Sequence, residues 1–185
     1  MSERTGVLQI RVADTADIPA ISALQQRAIS ELQRGYLTPA QIEASRAAMG
    51  LDTQLIEDGT YFCVEEVSGE GGPVLVGCGG WSDRATLYGG DHSAGRSAER
   101  LDPATDRARI RAMYTHPEHA RRGIGRMVIA ASERAARARG FQAAEMAATE
   151  AGKPFYLSLG YVVEDSFSDH TGGVAVPLHR MARCL

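Results

Sequence analysis

The chain has 185 residues and 19.8 kDa, with 44% hydrophobic and 23% charged residues, a formal net charge of -3 and a pI near 6.0. These values fit one domain over residues 1–185, able to bury roughly 70% of its unfolded surface, and they exclude wholesale disorder or any need for a disulfide or metal staple. A general nucleic-acid binder would be basic, and no apolar run approaches the ~20 residues of a membrane span, so neither nucleic acid nor membrane is an expected partner.

The polar start Met1–Thr5 carries no signal-peptide pattern. Leu8 to Val12 alternates as an opening strand. Ile18, Ile21, Leu24, Ala28 and Leu32 recur at helical spacing, with Asp14 or Thr15 as a cap, and predict a helix over about 16–33 that ends at Gly35. Thr38-Pro39-Ala40-Gln41 is a capping box with proline at the first helical position. A short helical stretch follows at Thr53 to Glu57. Tyr61 to Val67 and Val74 to Trp81 read as strands joined by the glycine-rich turn Ser68 to Pro73. Residues 82–107 have almost no apolar periodicity and predict a long surface connection.

Ala108 to Thr115 is the next predicted strand. The longest helix is predicted over Arg122 to Arg139. Ile124, Met127, Val128, Ala131 and Ala135 point inward in this reading, and Arg126, Glu133, Arg134 and Arg137 outward. Gln142 to Ala148 reads as a strand and Pro154 to Leu159 as a short helix ended by Gly160. Tyr161 to Asp165 and Val174 to Met181 close the chain as strands. Helices interleaved with strands predict an α/β (α+β) fold, one mixed sheet covered by helices. Cys63, Cys78 and Cys184 lack metal spacing and are expected as reduced thiols in the cytoplasm.

The stretch Met113 to Arg126 carries the chemistry. A strand runs into a turn, and Gly123 and Gly125 open a long helix beside Arg121, Arg122 and Arg126. Helix-start N–H groups, the positive end of the dipole and missing β-carbons make a cradle for phosphate oxygens. It is not a Walker loop, because no Gly-Lys-Ser/Thr follows. It is not a dinucleotide fingerprint either, because Val128 stands where the third glycine would be. Taken alone, the segment also reads as a glycine-softened helix start with solvated arginines.

Ala120-Arg121-Arg122-Gly123-Ile124-Gly125 resembles the Gln/Arg-x-x-Gly-x-Gly/Ala hallmark of the GNAT superfamily of acyl-CoA-dependent N-acyltransferases. The strand ending Met-Tyr-Thr-His-Pro is similar to the family's, as is Pro154-Phe155-Tyr156-Leu157-Ser158-Leu159-Gly160-Tyr161, which matches a Phe-Tyr-x-x-Leu-Gly-Phe segment. Ala120 stands where the family usually has Gln or Arg, and Thr149 where many relatives have a cofactor-contacting asparagine.

The resemblance implies a mostly antiparallel sheet with a splayed central parallel pair, here 108–115 and 142–148, and acetyl-CoA as acyl donor in the cleft between them. The pyrophosphate would lie on the amides of Arg121, Arg122, Gly123, Ile124, Gly125 and Arg126. The pantetheine arm would lie along Met113, Tyr114 and Thr115, with Thr149 opposite. Tyr156 is the implied acid for the departing thiolate, since a neutral phenol can protonate a thiolate. For the base, Glu145 is the strand candidate, with Asp83 and His116 behind it. Its side of the sheet depends on strand parity. Tyr36, Trp81, Asp83 and Tyr88 are candidates for the acceptor pocket, each equally readable as packing or surface. Cys78 reads as a buried strand residue, and no metal site is expected. The acceptor is a small-molecule or protein amine, and a homodimer is the candidate assembly. A non-catalytic acyl-CoA sensor is the competing function, and a phosphate-binding domain unrelated to CoA a further one.

Overall fold

The computed structural model describes residues 6–69 and 71–185. The polar start Met1–Thr5 and residue 70 of the Ser68–Pro73 turn lie outside the described residues. The strands are β1 (Val7–Val12), β2 (Tyr61–Val67), β3 (Val74–Ser82), β4 (Ala108–Thr115), β5 (Ala143–Thr149), β6 (Val162–Asp169) and β7 (Val176–Cys184). The helices are α1 (Ile18–Leu32), α2 (Pro39–Ser45), α3 (Thr53–Glu57), α4 (Ile124–Ala138) and α5 (Lys153–Ser158). The strands form one sheet in the order β1-β2-β3-β4-β5-β7-β6. Its one parallel pair is β4–β5, and every other neighbour is antiparallel.

Two capping boxes set the first helices. The Asp14 carboxylate accepts from the Ala16 N–H at 2.8 Å, and Asp17 answers the Asp14 N–H at 2.9 Å. Thr38 and Gln41 exchange the same pair of bonds at the start of α2. Helix α4 buries Ile124, Val128, Ile129, Ala131 and Ala136 against the sheet. Each buried isoleucine or valine among them contributes about 1.5–3 kcal/mol. It lies close because Gly77 and Gly79 present no side chain: a β-carbon at Gly77 would run into Ile124, and one at Gly79 would crowd Val128 as well as Met113 of β4.

One residue of α4 departs from its predicted side. Glu133 is buried, accepting from the Tyr161 hydroxyl at 3.0 Å and ion-paired to Arg183 at 3.3 Å. Periodicity within one helix cannot register a tyrosine supplied by the turn after α5. The last strands also run further than predicted, to Asp169 and Cys184. Cross-strand pairing with each other carries polar residues that alternation alone would exclude. Cys63 and Cys78 face each other across β2 and β3 as buried free thiols, both pushed up to about 12 by burial.

Candidate active site

The parallel pair holds together at only two positions, Ala108 with Ala144 and Arg109 with Glu145. Beyond them β4 and β5 diverge. A bulge at Ala112, whose φ is +50°, helps turn β4 away: the β3 register slips there between Cys78 and Gly80. The Tyr61 hydroxyl pins the bulge by donating to the Ala112 carbonyl at 2.8 Å. The His116 N–H bonds the Val76 carbonyl at 2.9 Å, so antiparallel alternation turns the backbone groups of Thr115 and Met113 away from β3 and into the opening.

The result is a cleft of about 850 Å³ with Met113, Tyr114 and Thr115 on one wall and Thr149 and Tyr156 on the other. Its floor at one end is the turn into α4. Arg121 and Gly123 both have left-handed backbone, φ +65° and +84°, and no side chain caps the helix. The first-turn amides are therefore open toward the cleft, beside the exposed Arg121 and Arg126. Gly123 has free space where a β-carbon would go, whereas Gly125 makes room for protein: a β-carbon there would meet the Phe155 ring at 3.0 Å. The Arg122 guanidinium turns from the cleft to Glu66, at 2.7 and 3.1 Å, and ties the turn to β2.

Tyr156 lies buried on α5, and among the described residues its hydroxyl makes no hydrogen bond. Burial pushes its phenol well above the ordinary tyrosine value, so it stays protonated at any working pH. The Thr149 hydroxyl accepts from the Gly152 N–H at 3.1 Å and holds the turn that leads into α5. The Tyr114 side chain packs toward α1, and its hydroxyl accepts from the Gly50 N–H at 3.1 Å.

Four expected side chains are placed elsewhere. Glu145 sits at the closed vertex of the two strands, off the cleft, among Arg109, Arg180 at 2.8 Å and Arg107 at 3.7 Å. Its lone pairs are taken by guanidinium, so it has neither the access nor the free acceptor that a base needs. Trp81 is core, edge-on to Phe141 at 6.0 Å. Asp83 ties the long connection by pairing with Arg100 and with Arg139 at 3.7 Å. His116 is held by Arg27 at 2.9 Å, outside the cleft lining.

Tyr36 and Tyr88 do line the cleft. So do Gln33 and Asp169, which the sequence did not single out. Asp169 lies four residues beyond the predicted end of its strand, and nothing local marks Gln33 apart from the helix it ends. Among the described residues no three of His, Cys, Asp and Glu are gathered to hold a metal ion, and no helix is long and apolar enough to cross a membrane.

A family model described as the acetyltransferase (GNAT) family matches residues 26–161. The chain belongs to the GNAT acetyltransferase family. A comparison with curated proteins finds no match. Among solved structures, a GCN5-related N-acetyltransferase from Rhodopseudomonas palustris superposes with a TM-score of 0.66 at 21% identity, covering 100% of this chain and 99% of that one. The PaiA N-acetyltransferase from Thermoplasma acidophilum, in complex with coenzyme A, gives 0.63 at 13% identity over 97% and 99%. YncA from Salmonella typhimurium, with its cofactor acetyl-CoA, gives 0.60 at 21% over 96% and 94%. At these identities the structures show that the GNAT fold is shared.

Proposed function

We propose that the chain moves an acetyl group from acetyl-CoA to a primary amine by direct attack. The observation that carries this reading is the opening between β4 and β5. There unpaired strand backbone, an uncapped helix start and an unpartnered tyrosine hydroxyl line one cleft. When bound, acetyl-CoA supplies an acyl carbon activated by a thiolate leaving group.

The chain's own residues divide the work. The amides of Gly123 to Arg126 face phosphate, with Arg121 and Arg126 adding charge. The backbone of Met113 and Thr115 receives an extended arm as an added strand would be received. Tyr156 gives its hydroxyl proton to the departing sulfur as the C–N bond forms and the C–S bond breaks. The proton lost by the amine restores the phenol.

The direct test is binding followed by turnover. Acetyl-CoA at one hundred times its Kd should stabilise the fold by about 2.7 kcal/mol, a melting shift of roughly 5–11 °C for a chain of this size. No shift at saturating cofactor would sink the reading, and binding without turnover of any amine would favour an acyl-CoA sensor instead.

Gly123→Val separates the cradle from the rest of the fold. A β-branched side chain at a φ of +84° strains the turn by about 1–3 kcal/mol. CoA affinity by calorimetry should fall about five- to a hundredfold, with the sheet's circular dichroism unchanged. An unaltered Kd in a folded variant would remove the turn from the cofactor site.

A further inference from the structure

Among the described residues four carboxylates are buried: Asp52, Glu133, Glu145 and Asp169. Three of them have guanidinium partners. Asp52 pairs with Arg111 at 2.7 Å, Glu133 with Arg183 at 3.3 Å and Glu145 with Arg180 at 2.8 Å. Asp169 is 4% exposed and has no cationic partner among the described residues. Its Oδ1 accepts from the Tyr88 hydroxyl at 3.2 Å. Its Oδ2 accepts from the Thr171 hydroxyl at 2.5 Å and the Thr171 N–H at 3.2 Å. These neutral donors orient the carboxylate but leave its charge uncompensated and a lone pair of Oδ1 open. A buried charge in that state is costly unless something cationic joins it.

A second observation points the same way. Gln33, 3% exposed and lining the same cleft, donates its amide to Ser45 at 3.1 Å, while among the described residues its Oε1 has no partner. Two buried acceptors lining the same cavity call for an occupant rich in N–H donors and positive charge.

We infer that Asp169, oriented by Tyr88 and Thr171, anchors a cationic group of the acceptor other than its attacking nitrogen. The acceptor class is then a diamine, or an amine that also bears a guanidinium. This rests on the acetyl-transfer reading above. The attacking nitrogen itself is a poor occupant, because a carboxylate stabilises the ammonium form and so withholds the lone pair. Position agrees. Asp169 pairs with Val176, two residues along β7 from Leu178, and Leu178 is the partner of Thr149 at the end of β5. That step places it about 7 Å further along the strand direction than Thr149 and two strands over, at the open end of the cleft that both line. Tyr88 comes from the 82–107 connection, which thereby acquires a role in acceptor choice.

The experiment uses the whole chain with acetyl-CoA and alkane diamines of three to six carbons, each beside the monoamine and the amino acid of equal length. For the best diamine kcat/KM should exceed that of its monoamine about ten- to a hundredfold, with the amino acid poorest. Asp169→Asn should erase that advantage through KM, lowering kcat/KM for the diamine far more than for the monoamine. Asp169→Glu should restore part of it. An equal loss for both acceptors, a wild type without preference, or a variant altered only in melting temperature overturns the inference. Calorimetry of the same diamines on CoA-loaded protein reads the site without turnover. Diamine binding lost in Asp169→Asn, with no acetylation of any amine, keeps the anchor and sinks the acetyl-transfer reading. Turnover without diamine preference does the reverse.

Discussion

Tyr156→Phe is expected to lower the maximal rate of acetyl transfer by about 10²–10⁴ while CoA affinity stays within a few-fold. The change deletes one hydroxyl and keeps the ring, which packs 5.1 Å from Phe155 and 6.0 Å from Tyr161. The hydroxyl has no hydrogen-bond partner among the described residues, so its loss breaks no structural bond and stability should barely move. Because the proton is needed only as the sulfur leaves, the loss belongs in kcat rather than KM. Steady-state kinetics with a working amine, paired with calorimetry of CoA, reads both quantities. A phenylalanine variant that turns over like the parent would show that the thiolate leaves without this donor.

Asp52→Ala should produce the largest loss of stability. Asp52 has a 1% exposed side chain that bonds Arg111 at 2.7 Å and Arg96 at 2.8 Å. Burial alone pushes the Arg111 guanidinium toward losing its proton, and Asp52 opposes that shift. Without the carboxylate, a buried cation is stranded, at a cost of about 3–5 kcal/mol. For this chain length that is a fall in melting temperature of roughly 6–20 °C. Arg111 also donates to the carbonyls of Thr86 at 2.9 Å and Gly89 at 2.6 Å, so the same substitution should loosen the segment that carries Tyr88 and raise the KM of the acceptor. The control is Glu43→Ala. Its partner Arg46 lies at 3.0 Å, but the Glu43 side chain is 78% exposed, and the change should cost under about 1 kcal/mol. Urea melts that show the two variants equally stable would refute the argument.

Element order, the Thr38–Gln41 capping box, the glycine turn into α4 and the Phe155-Tyr156 pair were all legible in the residues, because each is a local rule. A cap needs a side chain within three residues, and a helix face needs a fixed period. The resemblance to acyltransferases rested on two such local segments, and the family model that matches residues 26–161 spans both.

What local rules could not supply was the meeting of distant residues. Glu145 follows the parity of β5 correctly as a strand residue. Where it lies depends on how soon β5 leaves β4, and the strands are still paired at that level. Trp81 and Asp83 were candidates because they stand at the end of the third strand, yet core packing claimed one and an arginine pair the other. Asp169 is the reverse case. Nothing around it in sequence is informative. It matters because β6 pairs with β7, β7 pairs with β5, and the long connection brings Tyr88 across from 81 residues away. The sequence by itself therefore determined the elements and the glycine turn into α4, which short-range hydrogen bonding and periodicity encode. The tertiary structure alone decided which carboxylates are neutralised and which one faces the cleft without a counter-ion, because charge compensation is a property of neighbours that only the folded sheet brings together.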